Sequence, residues 1–433
     1  MSSLKKTFLF LLLATNCFSQ DTSLSEINRL TQKAAKYLLK DKSLSTYYSI
    51  SANGISIYET PENKISNKPE FHLELSQLDD FKMYLGNAGS KELMEMYKTG
   101  NFQNHIQKVI VAEGNSGPIN EKKLQGKKIA IDPGHIAGTM EMGDIEKKCL
   151  TFKCTGPDGV VDSIVIAEGM LTLATAQLLK EKLEKEGAEV FMTRTFSNGS
   201  AFGVTLDDWL KTDYTKTVDS LCKVGKISLS QKQFFSGTKP TKRDKFRVIF
   251  KDVELAKRAE IINNYKPDLT VVIHYNVDET NTGWVKPANK NFNMTFVGGA
   301  FMKNDLSTPE KRFEFLRMLV TDDVENSIAL SSAVVKSFEK NLNVKTATVK
   351  DAEYLSEGCL TAAPGVYCRN LQLTRYIHGP LVYGETLYQD NVNECILLNK
   401  ETDKTKNPRV QQVAEAYFQG IMSYVLASGP NGN

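Results

Sequence analysis

The sequence lacks several features that would direct its interpretation at once. Beyond the first twenty residues, no apolar run in the 433-residue chain is long enough to span a bilayer. The net charge is only +3, which is too small to argue for nucleic-acid binding. Internal repeats and low-complexity tracts are absent as well. What remains is a globular composition, 41% hydrophobic and 24% charged, with enough length for two domains.

The first nineteen residues have the pattern of a secretory signal peptide. A basic start and an apolar stretch at 8–14 precede small residues and a cleavage point after Ser19. The alternative is a lipoprotein signal that keeps Cys17 as an acylated N-terminus, although Asn16 is bulkier than the residue such signals prefer before the cysteine. The pattern predicts an exported protein of the periplasm or cell envelope.

Common site motifs are also missing: the chain has no Gly-x-Ser-x-Gly, no His-Glu-x-x-His and no phosphate-binding glycine loop. It has no Cys-x-x-Cys pair either, so disulfides are the better interpretation of its cysteines in an exported protein. Two pairs are near enough in sequence for local bridges: Cys149 with Cys154, and Cys359 with Cys368.

The pattern of the chain changes near residue 126. Residues 20–125 mix helical spacing with short alternating segments, which predicts a small α+β module. From 126 to 427, strand patterns alternate with amphipathic helices. This predicts an α/β domain whose mixed, mostly parallel sheet is flanked by helices on both faces. Long polar stretches interrupt the alternation and are expected as insertions in that domain: 139–165, 196–248 and 302–322.

Four polar residues of the α/β domain share one kind of position. His135 follows the strand predicted at 129–132, and Glu168 opens the first helix. His274 comes at the end of the strand at 269–273, and Glu385 follows the strand at 380–383. Each residue alone has an ordinary structural explanation. Ligands of α/β domains bind at the carboxyl ends of strands, however, so the four side chains are expected to meet at one rim. Two imidazoles and one carboxylate at this rim would suit Zn²⁺ as ligands, and the second carboxylate would be available as a base.

Five segments in this order resemble one enzyme family. They are IAIDPGH at 129–135, the helix opened by Glu168, VFMTRT at 190–195, TVVIHYN at 270–276 and PLVYGE at 380–385. Together they are similar to the zinc-dependent N-acetylmuramoyl-L-alanine amidases of the type-3 class, over roughly residues 126–427. The resemblance implies hydrolysis of the amide bond between N-acetylmuramic acid and L-alanine in peptidoglycan, for cell-wall remodelling or cell separation.

The resemblance also implies roles for individual residues. His135, Glu168 and His274 would bind Zn²⁺, and Glu385 would be the catalytic base. The sequence departs from the family where Ile136 and Ala137 replace a Gly-Gly pair. Glu168 comes 33 positions after His135, about twice the family's usual separation. Two other residues therefore compete with Glu168 as the carboxylate ligand: Glu141 and Glu146.

Further residues are candidates for supporting roles. Asp132 is expected to orient the turn or the histidine that follows it, and Asn276 is retained from the family's His-Ala-Asn. Arginines that could contact substrate carboxylates are Arg194, Arg369 and Arg375. A protein activator could bind the insertions or the N-terminal module. Two alternatives stay open: a zinc peptidase acting on stem or other peptides, and a wall-binding protein without turnover.

Overall fold

A computed structural model describes residues 24–108 and 122–427 of the chain. These residues form two compact units, and each unit has a sheet of its own. Residues 24–108 and the segment Gly299–Asp322 form the first unit. The rest of the described chain forms the second unit.

The first unit mixes a small sheet with short helices, as expected for the N-terminal module. Its antiparallel strands are β1 (Tyr48–Ser51), β2 (Gly54–Ile57) and β3 (Phe71–Leu73). Its helices are α1 (24–33), α2 (Pro61–Ile65), α3 (Leu78–Asn87) and α4 (Ser90–Tyr97), with a π-helix at Ala34–Leu38 and 3₁₀-helices at Lys42–Tyr47, Leu75–Gln77 and Gln103–Lys108. Gly54 closes the β1–β2 hairpin at a φ of 129°, a conformation that favours glycine.

The segment expected as an insertion at 302–322 belongs to this first unit and not to the α/β domain. Its helix, α12 (Pro309–Val320), is buried along most of its length. The Arg312 guanidinium donates to both carboxylate oxygens of Glu70, at 2.5 and 2.7 Å, and the Lys33 ammonium donates to the Thr321 carbonyl. Arg312 is neutralised by Glu70 from far away in the sequence, and Arg317 by Glu314 of the same helix. α12 therefore has the composition of an exposed insertion although it packs inside the unit.

The second unit contains an eight-stranded sheet and a separate hairpin. Its strands are β4 (Lys128–Pro133), β5 (Cys149–Thr155), β6 (Val161–Ala167), β7 (Glu189–Met192), β8 (Leu269–Asn276), β9 (Phe292–Val297), β10 (Lys345–Thr346), β11 (Leu360–Ala363), β12 (Val366–Cys368) and β13 (Leu381–Tyr388). The sheet order is β11-β12-β9-β13-β8-β4-β7, with β10 also on β9, while β5 and β6 form the hairpin.

The direction of the strands confirms the predicted mixed, mostly parallel sheet. Strands β7, β4, β8 and β13 run parallel to one another. β9 is antiparallel to β13, and β12 and β10 are parallel to β9. Only the edge strand β11 adds a second antiparallel pair.

Helices cover both faces of this sheet, as predicted. They are α5 (Met140–Glu146), α6 (Glu168–Lys185), α7 (Leu206–Thr212), α8 (Tyr214–Lys223), α9 (Leu229–Phe235), α10 (Lys242–Lys245), α11 (Lys251–Tyr265), α13 (Asp323–Leu342), α14 (Glu353–Gly358), α15 (Gln372–Tyr376), α16 (Val392–Asn399) and α17 (Pro408–Ala427), with a π-helix at Phe246–Phe250 and a 3₁₀-helix at Lys404–Lys406. On β8, Val271 and Ile273 pack toward α6, α13 and α17, whereas Val272 packs toward α11 and α15. Because side chains alternate along a strand, His274 faces the same side as Val272.

Two strands that carry candidate site residues are longer than the sequence predicts. β8 continues through His274 to Asn276, and β13 continues through Glu385 to Tyr388. Both residues therefore lie inside strands rather than after them. Pairing of β13 with β8 on one side and β9 on the other supplies the hydrogen bonds that extend the strands.

The expected disulfide bridges are not formed, since all six cysteines of the described residues are thiols. Cys149 and Cys154 lie at the first and sixth positions of β5. Five residues of extended strand span about 17 Å, far beyond the Cα separation of about 7 Å that a disulfide tolerates. The short spacing in sequence therefore did not predict a disulfide correctly, because an extended strand keeps the two cysteine side chains apart.

The signal peptide expected at 1–19, with Cys17, lies outside the described residues. Across residues 24–108 and 122–427, the helices are all too short or too polar to cross a membrane.

Candidate metal centre

The turn after β4 brings His135 to the rim of the sheet. The Gly134 amide donates to the Ile273 carbonyl oxygen at 2.9 Å, which ties the turn to β8. A Cβ on Gly134 would lie 2.3 Å from Cε1 of His274, so only glycine leaves room for that ring. His135 itself has a left-handed φ of 56°. This conformation is uncommon outside glycine and is held by the surrounding contacts.

Strands β8 and β13 bring His274 and Glu385 side by side. The two residues are register partners in the parallel pair, so their side chains leave the same face of the sheet. The His274 ring stacks on Tyr383, with centroids 4.6 Å apart and planes 5° from parallel. His274 and His135 meet edge to face at 4.8 Å. The stacking fixes the His274 ring in one plane.

Glu168 reaches the two histidines from the first position of α6. Its Oε1 accepts a hydrogen bond from the Tyr275 amide at 3.2 Å and lies 3.1 Å from Nδ1 of His274. Its Oε2 lies 3.4 Å from Nε2 of His135. This second oxygen is buried, and no side chain or amide in the described part of the chain donates a hydrogen bond to it. A buried carboxylate oxygen without a donor is expensive unless a cation completes its surroundings.

These three residues form a cluster that could hold a metal ion. One ligand atom from each of His135, Glu168 and His274 lies within 4.8 Å of the other two. The structure thus brings together the three residues that the resemblance named as ligands. The long stretch of chain between His135 and Glu168 contains the β5–β6 hairpin, whose strands pair from Cys149–Ala167 outward, so the chain returns to the cluster at Glu168.

The two acidic side chains at the site have opposite pKa shifts. Burial and the charge of Glu168 raise the pKa of Glu385 to about 8. Burial would also raise the pKa of Glu168, but the charges of His135 and Lys148 hold it well below its usual range. Two neighbouring carboxyl groups whose pKa values differ in this way suit different tasks. The group with the low pKa suits an ionised metal ligand, and the group with the raised pKa suits a proton carrier.

The pKa values of the two histidines are also shifted in opposite directions. Burial lowers the pKa of His274 to about 4, which keeps its ring neutral, the form that binds metals. Burial acts in the same direction on His135, but the carboxylates of Glu168 and Glu146 outweigh it and raise the pKa of His135 to about 9. A raised pKa favours the protonated ring, whereas a metal ligand must be a neutral imidazole, so metal binding would be coupled to release of a proton from His135.

Of the two competing acids, Glu146 supports the site and Glu141 lies outside it. His135 donates from Nδ1 to Glu146 Oε1 at 2.8 Å, which leaves its Nε2 directed toward Glu168. Glu146 Oε2 accepts hydrogen bonds from the amides of Ile136 and Ala137 at 3.2 and 3.0 Å. Glu141 is exposed and lies 3.8 Å from Lys242. Glu146 is thus placed to orient a ligand rather than to act as one.

Replacing Glu146 with glutamine is expected to weaken metal binding about tenfold, because carboxylates behind ligating histidines contribute about 10–100-fold to affinity. The variant keeps the shape of the side chain but removes the charge that orients His135. Competition with a chelating dye measures the affinity directly. Glu141→Gln is the matched control, and equal affinities for the two variants would contradict this role for Glu146.

A buried network of charged side chains holds the turn after β4 that carries His135. The Arg258 guanidinium lies against the Asp132 carboxylate at 3.3 Å and donates to the Pro133 carbonyl at 3.0 Å. Arg194 donates to the carbonyls of Pro133, Gly134 and Gly169 at 2.9–3.2 Å. Asp132 therefore orients the turn through Arg258. Only 3% of Arg194 is exposed, so its contacts are with this backbone and not with substrate.

The remaining candidates lie at the edges of the site. Asn276 donates to the Tyr354 hydroxyl at 3.1 Å. Arg375 donates to Asn370 at 3.0 Å and lies over Tyr376, outside the cluster. Lys148 was not anticipated: its ammonium lies 3.9 Å from Glu168 Oε2 and 4.6 Å from the Trp284 ring centroid. No sequence signal marks this lysine, because it belongs to an insertion without a motif.

A cleft of about 370 Å³ opens beside the cluster and gives a ligand access to it. His135 and His274 form part of its lining, and apolar side chains from Ile136 and Leu373 line it as well. Its basic side chains are Lys148, Arg247, Lys251 and the buried Arg258. Acidic side chains from Glu146 and Glu254 line it too, so the cleft combines apolar groups with charges of both signs.

Comparison with known proteins assigns the chain to a family. No curated protein matches it in sequence. Among solved structures, the CwlD amidase of Clostridioides difficile, in complex with the GerS lipoprotein, has 18% identity and a TM-score of 0.37, covering 70% of this chain and 99% of its own. The amidase Ami1 of Mycobacterium abscessus has 17% identity and a TM-score of 0.36, with the same coverage.

A third structure, the amidase AmiC2 of Nostoc punctiforme, has 14% identity and a TM-score of 0.35, covering 70% of this chain and 98% of its own. These similarities are too low to carry the assignment, which rests on a family model. The sequence model of the N-acetylmuramoyl-L-alanine amidase family matches residues 129–423 of this chain, and this range includes every member of the cluster. The chain therefore belongs to the N-acetylmuramoyl-L-alanine amidase family.

Proposed function

We propose that this amidase uses Zn²⁺ held by His135, Glu168 and His274, and that Glu385 transfers the protons of the reaction. The observation that carries the proposal is the buried cluster itself. Its three ligand atoms lie within 4.8 Å of one another, and Glu168 Oε2 has no hydrogen-bond donor among the described residues. Membership in the family supports hydrolysis of the bond between N-acetylmuramic acid and L-alanine in peptidoglycan.

The donor set favours zinc over other common cations. Two imidazole nitrogens and one carboxylate are a frequent set in catalytic zinc sites, whereas Ca²⁺ and Mg²⁺ prefer oxygen ligands alone. When bound, Zn²⁺ would polarise the scissile carbonyl and lower the pKa of a water molecule. The network of Asp132, Arg258 and Arg194 holds the turn that carries His135 in place for this task.

Glu385 is placed to move protons between water and the leaving group. Its carboxylate takes a proton from the attacking water, whose oxygen forms a new bond to the lactyl carbonyl carbon. It then gives that proton to the nitrogen of L-alanine as the carbon–nitrogen bond breaks. A pKa raised by burial suits a group that must both accept and release a proton near neutral pH.

Removing the metal is expected to abolish hydrolysis, and adding one equivalent of Zn²⁺ is expected to restore it. Purified peptidoglycan serves as substrate, and mass spectrometry identifies the products. Intact stem peptides released from the sugar are the expected result. Metal content measured on the same samples ties the activity to the ion.

Three other results would overturn the proposal. Stem peptides cut at internal bonds would identify a zinc peptidase. Binding to peptidoglycan without any product, in protein shown to contain zinc, would identify a wall-binding protein without turnover. Full activity after complete metal removal would exclude the assigned role of the cluster.

The proposal includes export to the periplasm or cell envelope, by way of the signal at 1–19, because peptidoglycan lies outside the cytoplasmic membrane. Either the N-terminal module at 20–125 or the insertions at 139–165 and 196–248 are proposed to bind a protein activator. Phe246 and Arg247, from the last of these insertions, line the cleft. A partner bound to that insertion would therefore act close to the substrate.

A further inference from the structure

Arg369 lies at the end of β12 with its backbone fixed by the sheet. Its amide donates to the Val297 carbonyl of β9 at 2.9 Å. The guanidinium carbon lies 4.9 Å from the ring centroid of Phe296 and 4.7 Å from that of Tyr354. Two aromatic rings in contact with one guanidinium hold it by cation–π attraction and restrict its rotamers.

This guanidinium has no anionic partner in the described part of the chain. It makes no ion pair and no side-chain hydrogen bond there. Other arginines behave differently: buried carboxylate partners are present for Arg258, Arg317 and Arg409, and Glu70 pairs with Arg312. Arg369 is only half-buried, so part of its side chain remains accessible to a ligand.

A row of aromatic contacts connects Arg369 to the metal cluster. Tyr383 stacks on His274 at 4.6 Å, and its ring lies 6.0 Å from that of Phe296, on which Arg369 rests. The charge of Arg369 also reaches Glu385, since it is among the charges that oppose the rise in the pKa of that carboxyl. The cleft beside the cluster is lined by Tyr383 from this same row, so the positive charge of Arg369 lies near both Glu385 and the cleft.

We propose that Arg369 binds a free carboxylate of the substrate's stem peptide while the scissile amide lies between the cluster and Glu385. This inference rests on the proposed function, because the stem peptide is the part of peptidoglycan that carries carboxylates. The planar guanidinium fits a carboxylate with two parallel hydrogen bonds. Because the two rings already restrict the side chain, little conformational freedom is lost when the ligand binds.

The test compares matched muramoyl-peptide substrates in which each stem carboxylate is converted in turn to a carboxamide. With the zinc-loaded full chain, one of these amides is expected to lower kcat/KM by about 10- to 100-fold, the range for a hydrogen bond to a charged group. Arg369→Ala is expected to lower kcat/KM for the carboxylate substrate by a similar factor. It should also reduce the preference for carboxylate over amide to within about threefold.

Two further variants make the experiment specific. Arg369→Lys keeps the charge but loses the planar pair of donors, so it is expected to recover only part of the preference. Lys336 is exposed on α13, which packs on the opposite face of the sheet. Lys336→Ala removes one positive charge there and is expected to behave like the original protein. Melting temperatures of all variants show whether each one is folded.

Several outcomes would overturn the inference. If the original protein hydrolyses carboxylate and amide substrates equally well, no carboxylate is bound. If Arg369→Ala slows both substrates by the same factor and keeps their ratio, the arginine acts on Glu385 or on stability instead. Failure of the original protein to release a stem peptide from any substrate would contradict the proposed function itself, which is a separate result.

Discussion

Replacing Glu385 with glutamine is expected to lower kcat by about 10²–10⁴-fold, the usual contribution of a general acid–base group. The amide is close in size to the carboxylate but cannot take a proton from water. Since Glu385 is not one of the three clustered ligands, metal binding should be nearly unchanged. Single-turnover hydrolysis of a muramoyl peptide, together with metal content, measures both effects on one sample.

Glu141→Gln provides the control for this experiment. Glu141 is an exposed acid in the same unit that pairs with Lys242, so its loss should leave kcat unaffected. A Glu385→Gln protein with full activity would show that another group moves the protons. A variant that loses its zinc would instead place Glu385 among the ligands.

Gly134→Ala is expected to lower kcat/KM by about 100-fold, because displacing a site residue by about 1 Å costs on this order. An added Cβ would lie 2.3–2.5 Å from the His274 ring and the Ile273 carbonyl oxygen. Neither neighbour is able to yield easily, since the ring stacks on Tyr383 and the carbonyl belongs to β8. Zinc affinity is therefore expected to fall together with activity.

The control for this substitution is Gly358→Ala, at the end of α14. Nothing lies within 4 Å of a Cβ built there, so activity and melting temperature should stay close to those of the original protein. If Gly134→Ala kept full zinc affinity, the close approach of the turn to His274 would not be needed for the site. Measuring both variants under the same conditions separates crowding from a general effect of replacing glycine.

The main strands and helices of the α/β domain could be predicted because their signals are local. Helix α6 begins at Glu168 and ends at Lys185, as its spacing indicates, and β4 ends in the turn that carries His135. The meeting of His135, His274 and Glu168 follows from a general rule about the carboxyl ends of strands. Local pattern and topology were sufficient for this part of the site.

Other features depend on contacts between distant parts of the chain. β13 extends past Glu385 because it pairs on both sides, and α12 packs in the first unit because Arg312 meets Glu70. Lys148 reaches Glu168 only after the hairpin has folded back. None of these partners is marked in the sequence, since each pair is formed by ordinary residue types without fixed spacing.

The β5–β6 hairpin makes the site insensitive to the length of chain between two of its ligands. Cys149 pairs with Ala167, and the Glu168 amide donates to the Lys148 carbonyl at 3.0 Å, so the chain enters and leaves the hairpin at neighbouring points. Its far turn includes Gly159, around which a Cβ would meet no atom within 4 Å. A short peptide tag or a fluorescent label could be inserted at that turn without moving Glu168. The hairpin thus offers an attachment point for a label that leaves the cluster of His135, Glu168 and His274 undisturbed.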